Sequence, residues 1–308
     1  VKFLLCFFEN ITLAKINKEQ KTVSPDEVNP NYLEQKGFLV LLGENTTKSL
    51  SPLIHNSSAQ WLGRSSHYEA YSLTSSQIKD FLESFHKKGG LGLNITNPHK
   101  HLVGKLVGET KLFSVNTLKR IGTGWKAYST DGEGFWNALT RHDKKIESYE
   151  AFCFIGSGDV FISILDFLKD KLSQKPVYII RRSEKNDENL KTLYKNLHFL
   201  PFEPSSLEKV IKKMGGHPLY LVQGTSAPLK GDDLSSFLEP LKNFNGGFCD
   251  LVYGKPSALY SHLKQRGFIS LDGLPMLIEQ AILAQKIWWG ESASYEIVHN
   301  KLIENGFA

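Results

Sequence analysis

The stretch Ala151-Phe152-Cys153-Phe154-Ile155-Gly156-Ser157-Gly158 decides the fold. An apolar run of strand length leads straight into a Gly-x-Gly turn, where a helix is expected to begin. A second apolar run, Val177–Ile180, follows after a segment long enough for that helix. This is the opening of a βαβ unit, and Leu219–Val222 and Phe248–Val252 supply further strands. Upstream, the pattern predicts strands at Phe38–Leu42, His67–Leu73 and Leu91–Thr96, with helices at Pro52–Leu62 and Ser76–Lys88 between them. Such alternation implies a parallel sheet. Val115–Ile121 and Trp125–Tyr128 flank Gly122-Thr123-Gly124 as a hairpin, and Gly134–Arg141 is helical in pattern. A boundary is expected near His142–Tyr149, and the chain ends in two helices, Leu274–Trp288 and Tyr295–Glu304. Residues 1–37 show no clear periodicity and include the polar stretch Thr22–Pro30, which marks an extension or linker.

At 308 residues, 41% hydrophobic and 22% charged, the chain suits about two domains. Its longest uncharged apolar stretches fall short of the ~20 residues that a membrane helix needs. Lys2 precedes only Phe3–Phe8 before Glu9 interrupts, so the apolar segment is shorter than a secretory core. Three widely spaced cysteines without a C-x-x-C pair fit a reducing, cytoplasmic setting. The net charge of +5 is dispersed, which favours small anionic ligands and argues against nucleic acid. Ten histidines include no H-E-x-x-H and no ligand-spaced cluster, so no metal site is expected.

Four segments carry chemistry. Gly156-Ser157-Gly158 presents backbone N–H groups at a helix start, suited either to a pyrophosphate or to a tight turn without a ligand. Asp159 and the bulky Phe161 modify that loop: a carboxylate able to cap the same donors, and a ring able to hold helix and strand apart, predict weak cofactor binding. Arg181-Arg182-Ser183 ends the second strand where a 2′-phosphate would be met, or where a solvated basic end would be harmless. In Asn94-Ile95-Thr96-Asn97-Pro98-His99-Lys100 two polar side chains share a face and Pro98 is expected to open a short helix carrying Lys100. Asp131 sits at another strand end and helix start; a Lys beside an Asp in a partly desolvated cleft relays protons, although an N-cap Asp and a surface Lys look the same in sequence. Ser49 and Ser51 put two hydroxyls ahead of a helix, suited to a carboxylate or polyol, with an N-cap as the alternative for Ser51.

Taken in order, these segments resemble the shikimate dehydrogenase family from about Phe38 to Ala308. The resemblance rests on Ser49–Asn56, Asn94–Lys100, Val115-Asn116-Thr117-Leu118, Ser129–Gly134, Asp250-Leu251-Val252-Tyr253 and Asp272–Ala281. It implies a two-domain α/β protein: a substrate-binding domain at 38–143 completed by 273–308, and a Rossmann-like NADP-binding domain at 144–272. It further implies that Lys100 transfers the proton and is paired with Asp131. Ser49 and Ser51 would hold the substrate carboxylate, and Asn94, Thr96, Asn116 and Gln280 would join Asp131 around its hydroxyls. Tyr253 would lie near the substrate, and Met276 near the nicotinamide. Gly156, Ser157, Gly158, Arg181, Arg182 and Ser183 would bind NADP. The implied activity is reduction of 3-dehydroshikimate to shikimate by a cytoplasmic monomer or homodimer. The alternatives are quinate or another cyclic hydroxy acid as substrate, or ligand binding with weakened cofactor use. The chain departs from the family pattern at Lys48, Ser129, Asp159 and Phe161.

Overall fold

Two sheets organise the chain, which the computed structural model describes at residues 37–109, 112, 114–184 and 187–307. The extension expected at 1–37 lies outside the described residues except for Gly37.

The first sheet is built from β1 (Phe38–Gly43), β2 (His67–Ser72), β3 (Gly92–Ile95), β4 (Thr117–Ile121) and β5 (Gly124–Tyr128), in the order β2-β1-β3-β4-β5. Strand β1 runs parallel to both β2 and β3, as α1 (Ser51–Trp61) and α2 (Ile78–Lys87) provide the crossovers. Beyond β3 the pairing turns antiparallel. The three strands expected to be parallel are so, and the expected hairpin β4–β5, whose two-residue connection can only reverse the chain, makes the sheet as a whole mixed. Ile78, Phe81, Leu82 and Phe85 recur at helical spacing on α2 and are buried against Val40, Leu42, Leu93 and Leu118.

The second sheet is fully parallel. It contains β6 (Ala151–Ile155), β7 (Val177–Arg181), β8 (Leu197–Pro201), β9 (Leu219–Gln223), β10 (Gly246–Asp250) and β11 (Ser270–Leu271), in the order β11-β10-β9-β6-β7-β8. Apolar clusters cover both faces of β6, which explains its unbroken hydrophobic run. Since β6 pairs with β7 on one side and β9 on the other, the order reverses beside it. Gly156-Ser157-Gly158 leaves the sheet at that switch point, the place where open parallel sheets take their ligands. Strand β8 was not expected: Leu197–Leu200 are half-buried on both faces, so neither alternation nor a continuous core run marks it.

Helices complete the frame: α3 (Lys100–Leu106), α4 (Asp131–His142), α5 (Asp159–Leu168), α6 (Asp187–Leu193), α7 (Pro204–Met214), α8 (Ala258–Gln265), α9 (Leu274–Trp289) and α10 (Tyr295–Glu304). The chain returns to the first sheet through α9, where Trp288 donates to the Leu118 carbonyl at 2.8 Å. Helix α4 lies against α9 so closely that a Cβ at Gly134 would come within 2.8 Å of the Gln280 backbone nitrogen. That approach brings the start of α4 and the middle of α9 to one place. Among the described residues no helix is long and apolar enough to cross a membrane.

Candidate active site

Lys100 is the first residue of α3. Pro98 does not open that helix, contrary to expectation; it follows a cis Asn97–Pro98 bond ahead of it. Asp131 is the first residue of α4, with Thr130 at the cap. The two side chains meet in the interior: Lys100 Nζ donates to Asp131 Oδ2 at 2.5 Å, with 9% and 3% of the side chains exposed. A bare ion pair at such depth is poorly stabilised unless its remaining groups are hydrogen-bonded. Asn116 meets that need, its Nδ2 donating to Asp131 Oδ1 at 2.8 Å and to Thr130 Oγ1 at 2.9 Å. Its Oδ1 accepts from the Thr130 backbone N–H at 2.8 Å, and Gln280 Oε1 lies 3.4 Å from Nδ2.

The other expected substrate residues border this centre. Asn94 Nδ2 donates to the Asn116 carbonyl at 3.2 Å and to Thr117 Oγ1 at 3.0 Å. Thr96 is half-buried at the end of the same strand, its methyl directed at Gly43. Ser49 Oγ donates to Ser51 Oγ at 3.2 Å, and the Ser51 backbone N–H donates back to Ser49 Oγ at 3.2 Å. Ser51 is not the N-cap of α1; Leu50 holds that position without a side-chain cap. Tyr253 follows β10 of the other sheet and packs in one apolar cluster with Leu50 and Leu53, beside the Ser49–Ser51 segment; burial pushes its phenol pKa up. Asp250 fixes that loop by accepting from Val252 N at 3.0 Å, Ser257 N at 2.7 Å and Gln223 Nε2 at 3.1 Å. Neither Asp250 nor Gln223 was expected to take part, although Asp250 opens a quoted motif. A cavity of about 580 Å³ borders the network at Ser129 and Thr130, closed on one side by Leu283 and Ile287 of α9.

At the second sheet, α5 begins after Gly158 with no side-chain cap. Among the described residues the Asp159 carboxylate takes no hydrogen bond from the helix's first N–H groups, contrary to expectation; the Phe161 N–H bonds the Gly158 carbonyl at 2.9 Å, and a Cβ at Gly158 would meet nothing within 4 Å. Phe161 does not wedge helix from strand either. Its ring is buried edge-on to Phe154, and it fits because Gly224 has no side chain: a Cβ there would lie 2.3 Å from the ring. Ser157 Oγ donates to the Ser183 carbonyl at 3.4 Å, tying the turn to the end of β7. Met276 on α9 is buried in the core shared by α4, α5 and β6.

The two arginines divide. Arg181 is a two-pronged partner of Asp187, its Nε donating to Oδ1 at 2.7 Å and its Nη2 to Oδ2, and only 13% of its side chain is exposed. Its guanidinium is consumed in holding α6, so the expectation of a phosphate contact passes to its neighbour. Arg182 is 63% exposed, stacked over Phe202 with its Cζ 4.1 Å from the ring centroid, and 3.3 Å from Asp232. With its charge removed, Asp159→Asn should tighten NADPH binding by no more than roughly fivefold, the scale of one charge at an exposed helix start. An NADPH fluorescence titration measures this; weaker binding in the variant would give Asp159 a supporting contact with the cofactor.

Residues 41–116 match the family model of the shikimate dehydrogenase substrate binding domain. A curated shikimate dehydrogenase (NADP(+)) from Idiomarina loihiensis is 31% identical over 263 residues, covering 82% of this chain and 92% of the relative. The shikimate dehydrogenase (NADP(+)) of Bacillus subtilis is 27% identical over 271 residues, covering 85% and 95%. The crystal structure of shikimate dehydrogenase from Aquifex aeolicus superposes with a TM-score of 0.75 at 25% identity, covering 87% of this chain and 97% of that one.

Proposed function

The chain belongs to the shikimate dehydrogenase family, and from that premise we propose that it is an NADP-dependent shikimate dehydrogenase, interconverting 3-dehydroshikimate and shikimate in the biosynthesis of chorismate and the aromatic amino acids. The observation that carries this reading is the buried Lys100–Asp131 pair, held by Asn116 and bordered by Gln280. In this reading Lys100 gives a proton to the ketone oxygen during reduction and receives it back from the hydroxyl in the reverse direction. Asp131 holds the lysine's charge at that point, and Asn116 fixes the carboxylate's rotation. When bound, NADP supplies the hydride donor or acceptor.

Ser49 and Ser51 take the substrate carboxylate, and Asn94, Thr96 and Gln280 line its hydroxyl edge. Tyr253 closes over the substrate from the other sheet. Gly156, Ser157 and Gly158 turn their backbone toward the pyrophosphate, Arg182 and Ser183 meet the 2′-phosphate, and Met276 flanks the nicotinamide. Residues 38–143 with 273–308 form the substrate domain and 144–272 the nucleotide domain. The protein works in the cytoplasm as a monomer or homodimer; the buried thiols of Cys153 and Cys249 suit a reducing compartment.

The test is NADP⁺ and NAD⁺ reduction with shikimate or quinate, followed by nicotinamide absorbance. NADP⁺ with shikimate should be the preferred pair. Turnover with quinate alone would move the protein to another cyclic hydroxy acid; shikimate binding without turnover would make it a binding protein. Arg182→Ala should raise the KM for NADP⁺ roughly tenfold or more and leave that for NAD⁺ nearly unchanged, since only NADP⁺ offers the guanidinium an anion. Equal losses for both coenzymes would remove Arg182 from 2′-phosphate recognition.

A further inference from the structure

Tyr68 lies on β2, outside the sequence motifs that border the site, yet more of the fold is spent on placing it than on the serines beside it. Its backbone N–H donates to Asn56 Oδ1 at 2.8 Å and its carbonyl accepts from Asn56 Nδ2 at 2.9 Å, so α1 grips the free edge of β2 at this one residue. The ring is buried and stacked on His55, with centroids 4.4 Å apart, and Trp288 covers both. The hydroxyl donates to Asn94 Oδ1 at 2.8 Å, and the Ser51 side chain is its neighbour.

His55 supports the same arrangement. Gln285 on α9 donates from Nε2 to Ser58 Oγ at 3.0 Å, reaches His55 Nδ1 at 3.5 Å, and accepts at Oε1 from Ala293 N at 3.1 Å. With Nδ1 accepting, the ring proton sits on Nε2, on the side where Asn94 is a neighbour. Asn94 has the Tyr68 hydroxyl as donor on its oxygen side, and on its nitrogen side the acceptors Asn116 O and Thr117 Oγ1. Its amide can adopt only one flip. A chain of hydrogen bonds thus runs from the Tyr68 hydroxyl through the Asn94 side chain to the Asn116 carbonyl, and the Asn116 amide bonds Asp131 of the Lys100–Asp131 pair.

We propose that Tyr68 is a positioning residue for substrate binding: its hydroxyl fixes the amide of Asn94, which lines the hydroxyl edge, and so keeps that edge of the substrate in register with Lys100. This rests on the function proposed above. Losing the hydroxyl leaves the ring packing intact but frees Asn94 to turn.

The test is Tyr68→Phe, compared with wild type in steady-state kinetics and in calorimetric binding of shikimate to the protein without coenzyme. The KM and Kd for shikimate should each rise about tenfold, with kcat changed by less than about threefold and the KM for NADP⁺ unchanged. In an Asn94→Ala background the same substitution should cost no more than about twofold, because the partner it acts through is already gone. Shikimate affinity within twofold of wild type, or parallel changes in kcat and both KM values, would overturn the proposal. If the wild type binds shikimate without turning it over, the assignment of activity fails, and the calorimetric comparison still decides the role of Tyr68. If the wild type binds no shikimate, both fall.

Discussion

Lys100→Ala is expected to lower kcat by roughly 10²–10⁴-fold, the usual scale of general acid–base assistance. The KM for shikimate should change far less, because the carboxylate and hydroxyl anchors lie on other side chains. The substitution also strands Asp131, whose side chain is 3% exposed and whose Oδ2 accepts from Lys100. Removing one partner of a buried pair costs about 3–5 kcal/mol when the other charge stays uncompensated. Asn116 and the start of α4 still face the carboxylate and reduce that cost. Activity should therefore be measured alongside a denaturation curve. A folded variant with wild-type kcat would remove Lys100 from the proton transfer.

The second large effect concerns pH and stability. Burial lowers the pKa of His55 from 6.5 to about 3, with the contact to Asn94 opposing the shift only weakly. The folded pKa lies below the unfolded one. As pH falls from 6.5 toward 3, the unfolded chain binds a proton that the folded chain refuses, so stability present above 6.5 is progressively lost. One proton is worth about 1.36 kcal/mol per pH unit, so His55 alone removes about 2 kcal/mol by pH 5 and up to about 5 kcal/mol by pH 3. Urea unfolding of wild type and His55→Gln near pH 7 and pH 5 separates this contribution from that of His142, whose pKa burial and Arg141 also lower. The variant should be less stable at pH 7 and should lose about 2 kcal/mol less on acidification. Equal slopes would mean that His55 is already protonated in the folded protein.

Much of the architecture was legible because local and global preferences agree. Ala151–Ile155 is apolar at every position since both faces of β6 are covered, and α2 shows its buried face as a clean helical period. Ser49, Ser51, Asn94, Lys100, Asn116 and Asp131 stood out because polar side chains at strand ends and helix starts have little structural reason to be there in such number. What stayed hidden depends on contacts between distant elements. Arg181 and Arg182 are adjacent in sequence, and only the turn into α6 gives the first to Asp187 and leaves the second exposed. Neither Tyr68 nor His55 was singled out as a site residue. Their hydrogen-bonding edges acquire meaning once Gln285, more than 200 residues further on, is packed against them. Strand β8 lacked both a buried run and an alternating one.

The fit of Phe161 against Gly224 bears on how this loop can be altered. A Cβ at 224 would lie 2.3 Å from the ring, so a larger residue there requires a smaller one at 161 in the same step. The dependence runs one way: Phe161 can be truncated alone at the cost of a cavity, whereas Gly224 cannot be enlarged alone without overpacking. Exchanging this loop for one with a side chain at 224 therefore calls for a paired replacement.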